Sequence, residues 1–224
     1  MAPSRENLLE RAESQRYLYV FFAILAVLVS ISFVRAVPHV PVVLLAGLVA
    51  IAFGPLHLRS APGWLKAFFF LLILLRAVGL WMRTEASILV ADLALLTLFT
   101  IGTVAILRDV LTQPMVGLDT ILGGCSVYLL VGICFAIAFS LTETLEPGSF
   151  EVGGRTLDPE YMRRTPQLVY LSFVVLTSVG FGDVLPITSP ARGLVMVEAI
   201  FGQLYLAILV ARLVSEYAGR NPAK

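Results

Sequence analysis

Apolar stretches long enough to form membrane-spanning helices recur along this chain, and no other feature restricts its fold as strongly. A bilayer hydrocarbon core of about 30 Å takes about 20 apolar residues in a helix. Six stretches meet or approach that length, at about 17–35, 40–56, 65–82, 87–107, 118–141 and 190–214. The second and third are short and are expected to lie tilted or shallow. Pro38 and Pro41, then "GPLHLRSAPGW", then "RTE" and then "RDVLTQPMVG" punctuate them with turn residues and charge. With 58% hydrophobic and 14% charged residues, the chain falls in the membrane class and leaves no room for a soluble domain.

Charge narrows the choice of partner. A formal charge of +1 with its basic residues scattered lacks the concentrated positive face that phosphate binding needs, so no nucleic-acid partner is expected. If both ends are cytoplasmic, nine Lys and Arg fall inside (Arg5, Arg11, Arg16, Arg59, Lys66, Arg108, Arg212, Arg220, Lys224) and six outside (Arg35, Arg83, Arg155, Arg163, Arg164, Arg192). That bias favours cytoplasmic termini. The first apolar run exceeds a signal-peptide core and shows no small-x-small cleavage site, so it is expected to stay as an anchor. Cys125 and Cys134 stand nine apart in one helical stretch, too far along the axis to bridge, and read as small packing residues.

One apolar run is too short to cross. "VYLSFVVLTSVGFGDVLP", residues 169–186, follows Thr165-Pro166, which predicts an N-cap and a proline at the first helical position. The predicted helix ends near Thr177, about 18 Å long at 1.5 Å per residue, and enters the membrane without traversing it. It runs into a Gly-rich segment. Irregular backbone at membrane depth is tolerated only where it is buried in protein or lines a polar path. Gly180 and Gly182, alternating with Val179 and Phe181, allow successive carbonyls to point the same way, because glycine adopts φ > 0 without steric cost. A column of carbonyl oxygens is a cation site, and the helix before it aims its negative end at the cavity below. The preceding polar stretch, 142–164, reads as a solvated loop.

"SVGFGD", residues 178–183, preceded by Thr177, resembles the filter of the potassium-channel pore family, Thr-Val-Gly-Tyr-Gly-Asp. The resemblance extends over about 118–216, where outer helix, loop, pore helix, filter and inner helix follow in family order. It implies a six-transmembrane, voltage-gated-like channel of prokaryotic type, an all-α membrane protein with a re-entrant pore helix. It also implies that carbonyls of Ser178, Val179, Gly180 and Phe181 and the Ser178 hydroxyl ligate the ion, with Thr177 and Gly182 in the filter and Asp183 at its outer mouth. Gly202, 24 residues after Ser178, stands where the family places a gating-hinge glycine; simple close packing is the other reading. Ser for the usual Thr loses a packing methyl, and Phe181 for Tyr loses a hydroxyl that ties filter to pore helix.

The resemblance divides the chain into a cytoplasmic segment (1–16), a four-helix sensor-like module (17–110), a pore domain (111–216) and a cytoplasmic tail (217–224). Voltage sensing needs several arginines along one helix, yet the fourth span carries Asp92 and no Arg. Arg76 and Asp92 each lie eight residues from Thr84, at matched depth in antiparallel spans, and predict an intramembrane ion pair. Glu198, eight residues past Pro190, is expected either to brace the back of the pore helix or to be protonated. His39 and His57 read as interfacial tips, and Trp64 and Trp81 as an aromatic belt. A closed carbonyl ring takes four chains, so the expected state is a homotetramer in a lipid bilayer, in a bacterial inner membrane, with no cofactor besides permeant potassium. A weakly selective cation channel, and a transporter or enzyme with a re-entrant substrate loop, are the alternatives.

Overall fold

The computed structural model describes residues 16–32, 71, 74, 75, 78, 84–113 and 117–220. Five long or medium helices and a small sheet occur there: α1 (Arg16–Ser32), α2 (Glu85–Thr112), α3 (Leu118–Leu145), β1 (Phe150–Val152), β2 (Arg155–Thr156), α4 (Tyr161–Leu176), β3 (Val184–Pro186) and α5 (Ser189–Arg220). Among the described residues, three helices are long and apolar enough to cross a bilayer, at Ala86–Thr112, Leu118–Leu145 and Ser189–Arg212. The second expected span, most of the third, Arg76, both histidines and both tryptophans lie outside the described residues.

α3 is the hub, in contact with α1, α2, α4 and α5. Lipid tails are as apolar as leucine, so helices in a bilayer gain by close approach rather than by leaving water, and small residues decide where they meet. Three glycines of α3 serve this purpose on different faces. A Cβ on Gly123 would stand 2.7 Å from the Val110 side chain, one on Gly124 3.1 Å from Leu209, and one on Gly132 2.9 Å from Phe173. α1 presents Tyr17, Val20, Ile24 and Val27, a helical stripe, to this core.

Polar ties fix the ends. Thr84 and Ser87 cap α2 reciprocally, each side chain accepting from the other's backbone N–H at 3.2 and 3.0 Å. Asp119, in the first turn of α3, accepts from the Tyr17 N–H at 2.9 Å, and the Tyr17 hydroxyl donates to Asp109. Asp92 is fully buried in α2 and accepts from the Ser140 hydroxyl of α3 at 2.9 Å.

The polar stretch expected as a loop is more ordered than its composition predicts. α3 runs on to Leu145, and the buried Glu143 carboxylate accepts from the Gly148 and Phe150 amides at 2.9 and 3.0 Å, closing the turn beyond it. β1 then pairs antiparallel with both β2 and β3, in the order β2-β1-β3. Gly153 and Gly154, both at positive φ (57° and 77°), make the two-residue hairpin turn that such strands require. β3 closes the sheet from beyond the Gly-rich segment, with Val152 opposite Val184 and Phe150 opposite Pro186. The far end of that segment is thereby tied to the hairpin.

Candidate functional site

α4 is a helix of 16 residues, about 24 Å at 1.5 Å per residue, and it begins one turn earlier than the Thr165-Pro166 pair predicts. Its N-cap is Glu160, whose carbonyl accepts from the Arg163 and Arg164 amides at 2.9 and 3.2 Å. Pro166 lies inside the helix. Tertiary contact outweighs the local cap: buried Arg164 donates to the Thr144 hydroxyl in the last turn of α3, where a helix's partial negative charge favours a cation.

The other end of α4 is a Schellman motif. The Ser178 N–H donates to the Val175 carbonyl at 2.9 Å and the Val179 N–H to the Val174 carbonyl at 3.0 Å. The left-handed position that glycine usually fills holds Ser178, at φ 58°. Gly180 and Gly182 follow at 59° and 74°, and no other non-glycine residue among those described has positive φ. The sign of φ therefore alternates along 178–182. Alternation turns successive N–H groups to one side and successive carbonyls to the other. The Val179 and Gly180 amides both face Val174 of α4, leaving the carbonyls on the side away from the helix, and residues 177–183 are exposed throughout. Such a strip of oxygens can ligate a cation without side-chain charge.

Both ends of the strip are anchored. At its start the Leu176 carbonyl accepts from the Tyr128 hydroxyl of α3 at 2.8 Å, and α5 lies so close that a Cβ on Gly202 would stand 2.4 Å from that oxygen. The position expected as a hinge thus has a packing reason for glycine. Tyr205, one helical turn beyond, stacks on Tyr128 at 5.7 Å and donates to the Gly124 carbonyl at 2.7 Å. At its far end the Asp183 carbonyl accepts from Gly153, and its carboxylate accepts from the Val184 amide at 3.1 Å and from the Tyr170 hydroxyl.

Glu198 of α5 is fully buried behind α4, where its Oε1 meets the Ser172 hydroxyl. Ser172 also lies 2.7 Å from the Gly132 carbonyl, and Glu198 Oε2 has no hydrogen-bond partner among the described residues. A hydroxyl has one proton and here faces two acceptors. A glutamine satisfies both contacts, its amide donating to Ser172 while Ser172 donates to Gly132. Glu198→Gln is therefore expected to keep thermal stability within about 1 kcal/mol of the parent, and Glu198→Leu to lose about 1–3 kcal/mol, because Ser172 then keeps only Gly132 and the hydrogen bond that ties α5 to α4 is gone. Thermal unfolding of the detergent-solubilised protein separates the two, and equal losses would remove the bracing role.

Three features of the site escape a reading of the sequence. Tyr170 and Asp183 are brought together only by the fold, and so are Tyr128 and Leu176. Gln203, whose amide donates to the Ser178 hydroxyl, carries a fainter mark: a carboxamide inside an apolar span. The Arg76 partner expected for Asp92 lies outside the described residues, and Ser140, which the sequence did not suggest, donates to Asp92.

No curated protein and no solved structure matches the chain. A family model described as ion channel matches residues 156–218, which take in α4, the alternating segment, β3 and nearly all of α5. Together with three helices long enough to span a bilayer, that match supports a membrane protein of ion-channel type, similar to such channels over the very stretch that carries the strip of carbonyls.

Proposed function

We propose that the chain is a potassium-selective channel whose filter is the segment Thr177–Asp183. The observation that carries this reading is the alternation of φ along Ser178, Val179, Gly180, Phe181 and Gly182, with the amides of Ser178, Val179 and Gly180 turned back onto α4. In this reading the carbonyls of Ser178, Val179, Gly180 and Phe181 and the Ser178 hydroxyl replace the hydration shell of a potassium ion, and Asp183 stands at the outer mouth. α4 is then a re-entrant pore helix and α5 the inner helix. Residues 17–110 form a sensor-like module without a ladder of arginines, and both termini face the cytoplasm of a bacterial inner membrane.

A single strip cannot enclose an ion; four copies around one axis can. Exposure supports a homotetramer: Val179 and Phe181 are 52% and 69% exposed in one subunit, and the spanning part of α5 is only 11% buried. Met196, Val197, Ile200, Leu204 and Ile208 lie on uncovered faces of α5 and leave room for neighbouring subunits.

Purified protein in potassium-loaded liposomes tests the function. Rapid potassium efflux that fails when sodium is the only permeant cation is the expected result. Equal sodium flux would favour a weakly selective cation channel, a reading that the loss of the Thr methyl at Ser178 and of the Tyr hydroxyl at Phe181 gives some ground for. Absence of any flux would overturn both, and would return attention to a transporter or enzyme that uses the segment as a substrate loop.

A further inference from the structure

Ser178 is held in an unfavourable conformation, and its hydroxyl is engaged by a residue of another helix. A left-handed conformation costs an L-residue with a side chain roughly 1–2 kcal/mol, and glycine would fill this place in the Schellman motif at no such cost. Strain of this kind persists where the surroundings over-determine it and the side chain has a use. Here the Gln203 carboxamide of α5 donates to Ser178 Oγ, and both residues are exposed, as is the whole of 177–183.

We propose that Gln203 is a positioning residue that orients the Ser178 hydroxyl toward the cation at the inner end of the filter. This inference rests on the reading of the segment as a cation filter. A serine hydroxyl has one proton and two lone pairs. A free hydroxyl rotates, and for part of the time it turns its proton toward the cation, which weakens ligation. With the Gln203 N–H on one lone pair, the other is directed to the ion and the proton is turned aside. Threonine restricts its own χ1 through its β-branch; serine does not. Gln203 supplies from the inner helix the restraint that the missing methyl would supply from within. In the tetramer, four such carboxamides ring the entrance to the filter.

The test is a set of permeability ratios in planar bilayers with potassium on one side and sodium on the other, for the parent chain, Gln203→Leu, Ser178→Thr and the double variant. Gln203→Leu is expected to lower the potassium-to-sodium ratio about three- to tenfold, the range that one modest hydrogen bond spans. Ser178→Thr serves as the reference for the second arm, because its β-branch restrains its own χ1. In the Ser178→Thr background, adding Gln203→Leu should then cost less than about twofold.

A merely structural role for Gln203 would give the same loss in both backgrounds, and that result overturns the proposal. So does a Gln203→Leu channel with the parental ratio. If Gln203→Leu fails to assemble, Gln203→Asn carries the test: it keeps the carboxamide but is one methylene too short, and it should behave as the leucine variant is expected to. A parent channel that passes sodium as readily as potassium removes the potassium-selective reading and this inference with it. A selective parent with an indifferent Gln203→Leu removes only the inference.

Discussion

Replacing Gly180 by alanine is expected to stop potassium flux while leaving a membrane-inserted protein of normal yield. Gly180 sits at φ 59°, and a Cβ there would meet nothing within 4 Å in its own subunit, so the penalty comes from the backbone and not from crowding. An L-residue in that conformation costs roughly 1–2 kcal/mol, and in the proposed tetramer four copies sum to about 4–8 kcal/mol. The segment escapes this cost by taking negative φ at residue 180, which swings a carbonyl out of line in every subunit. Helices α1, α2, α3 and α5 do not depend on the residue. Liposome flux measured beside the elution profile of the purified variant checks both halves of the expectation. Parental flux through Gly180→Ala would show that the alternating segment is not the filter.

Gly202→Ala is expected to act differently, by destabilising the whole pore domain. The added methyl carbon would lie 2.4 Å from the Leu176 carbonyl oxygen, where even a favourable C···O approach is about 3.3–3.6 Å. α5 must therefore move by about 1 Å away from α4, and that movement loosens the Tyr128–Tyr205 stack, which lies against the tyrosine that holds the Leu176 carbonyl. Overpacking of this kind costs about 1–3 kcal/mol per site, repeated in each subunit. A lower unfolding temperature is expected, together with a less tightly backed Leu176 anchor. A hinge role predicts another outcome, an assembled and thermally normal channel whose opening alone is altered. Thermal unfolding and single-channel recording on the same preparation separate the two.

What the sequence made legible, and what it did not, follows from the range of the interactions involved. Glycine at every second position of 178–182 is a local pattern, and positive φ at Gly180 and Gly182 lies where that pattern predicts it. Ser178 at φ 58° is not locally predictable, because a hydroxyl residue in the left-handed region is chosen by its surroundings. The outer helix and inner helix were readable as apolar runs of sufficient length, but each runs past its expected end, to Leu145 and Arg220, since helices continue into polar sequence where side chains satisfy the last turn. Thr165-Pro166 carries the strongest local start signal in its region, yet α4 starts at Tyr161 because Arg164 has a partner on α3. The hairpin at 150–156 shows a legible turn, Gly153-Gly154, but strands of two and three residues are too short for an alternating pattern to declare itself. Its third strand comes from the far side of the Gly-rich segment, a pairing that only the fold reveals.

The two anchors on the strip of carbonyls also decide how it can move. Leu176 is fixed by Tyr128 and the close approach of Gly202, and Asp183 by Gly153, Tyr170 and the start of β3. With both ends pinned and six residues between them, the backbone cannot swing aside as a flap does. Its remaining freedom is the crankshaft: a single peptide plane turns over as ψ of one residue and φ of the next rotate in opposite senses, while the chain on either side stays in place. Glycine tolerates either sign of φ, so the peptides flanking Gly180 and Gly182 turn at least cost. Each such turn exchanges a carbonyl for an N–H at one level of the strip, so that a group attracting cations becomes one that repels them. If the strip is the filter proposed above, conduction is therefore expected to be interrupted by discrete inversions of individual peptides, with the surrounding helices at rest.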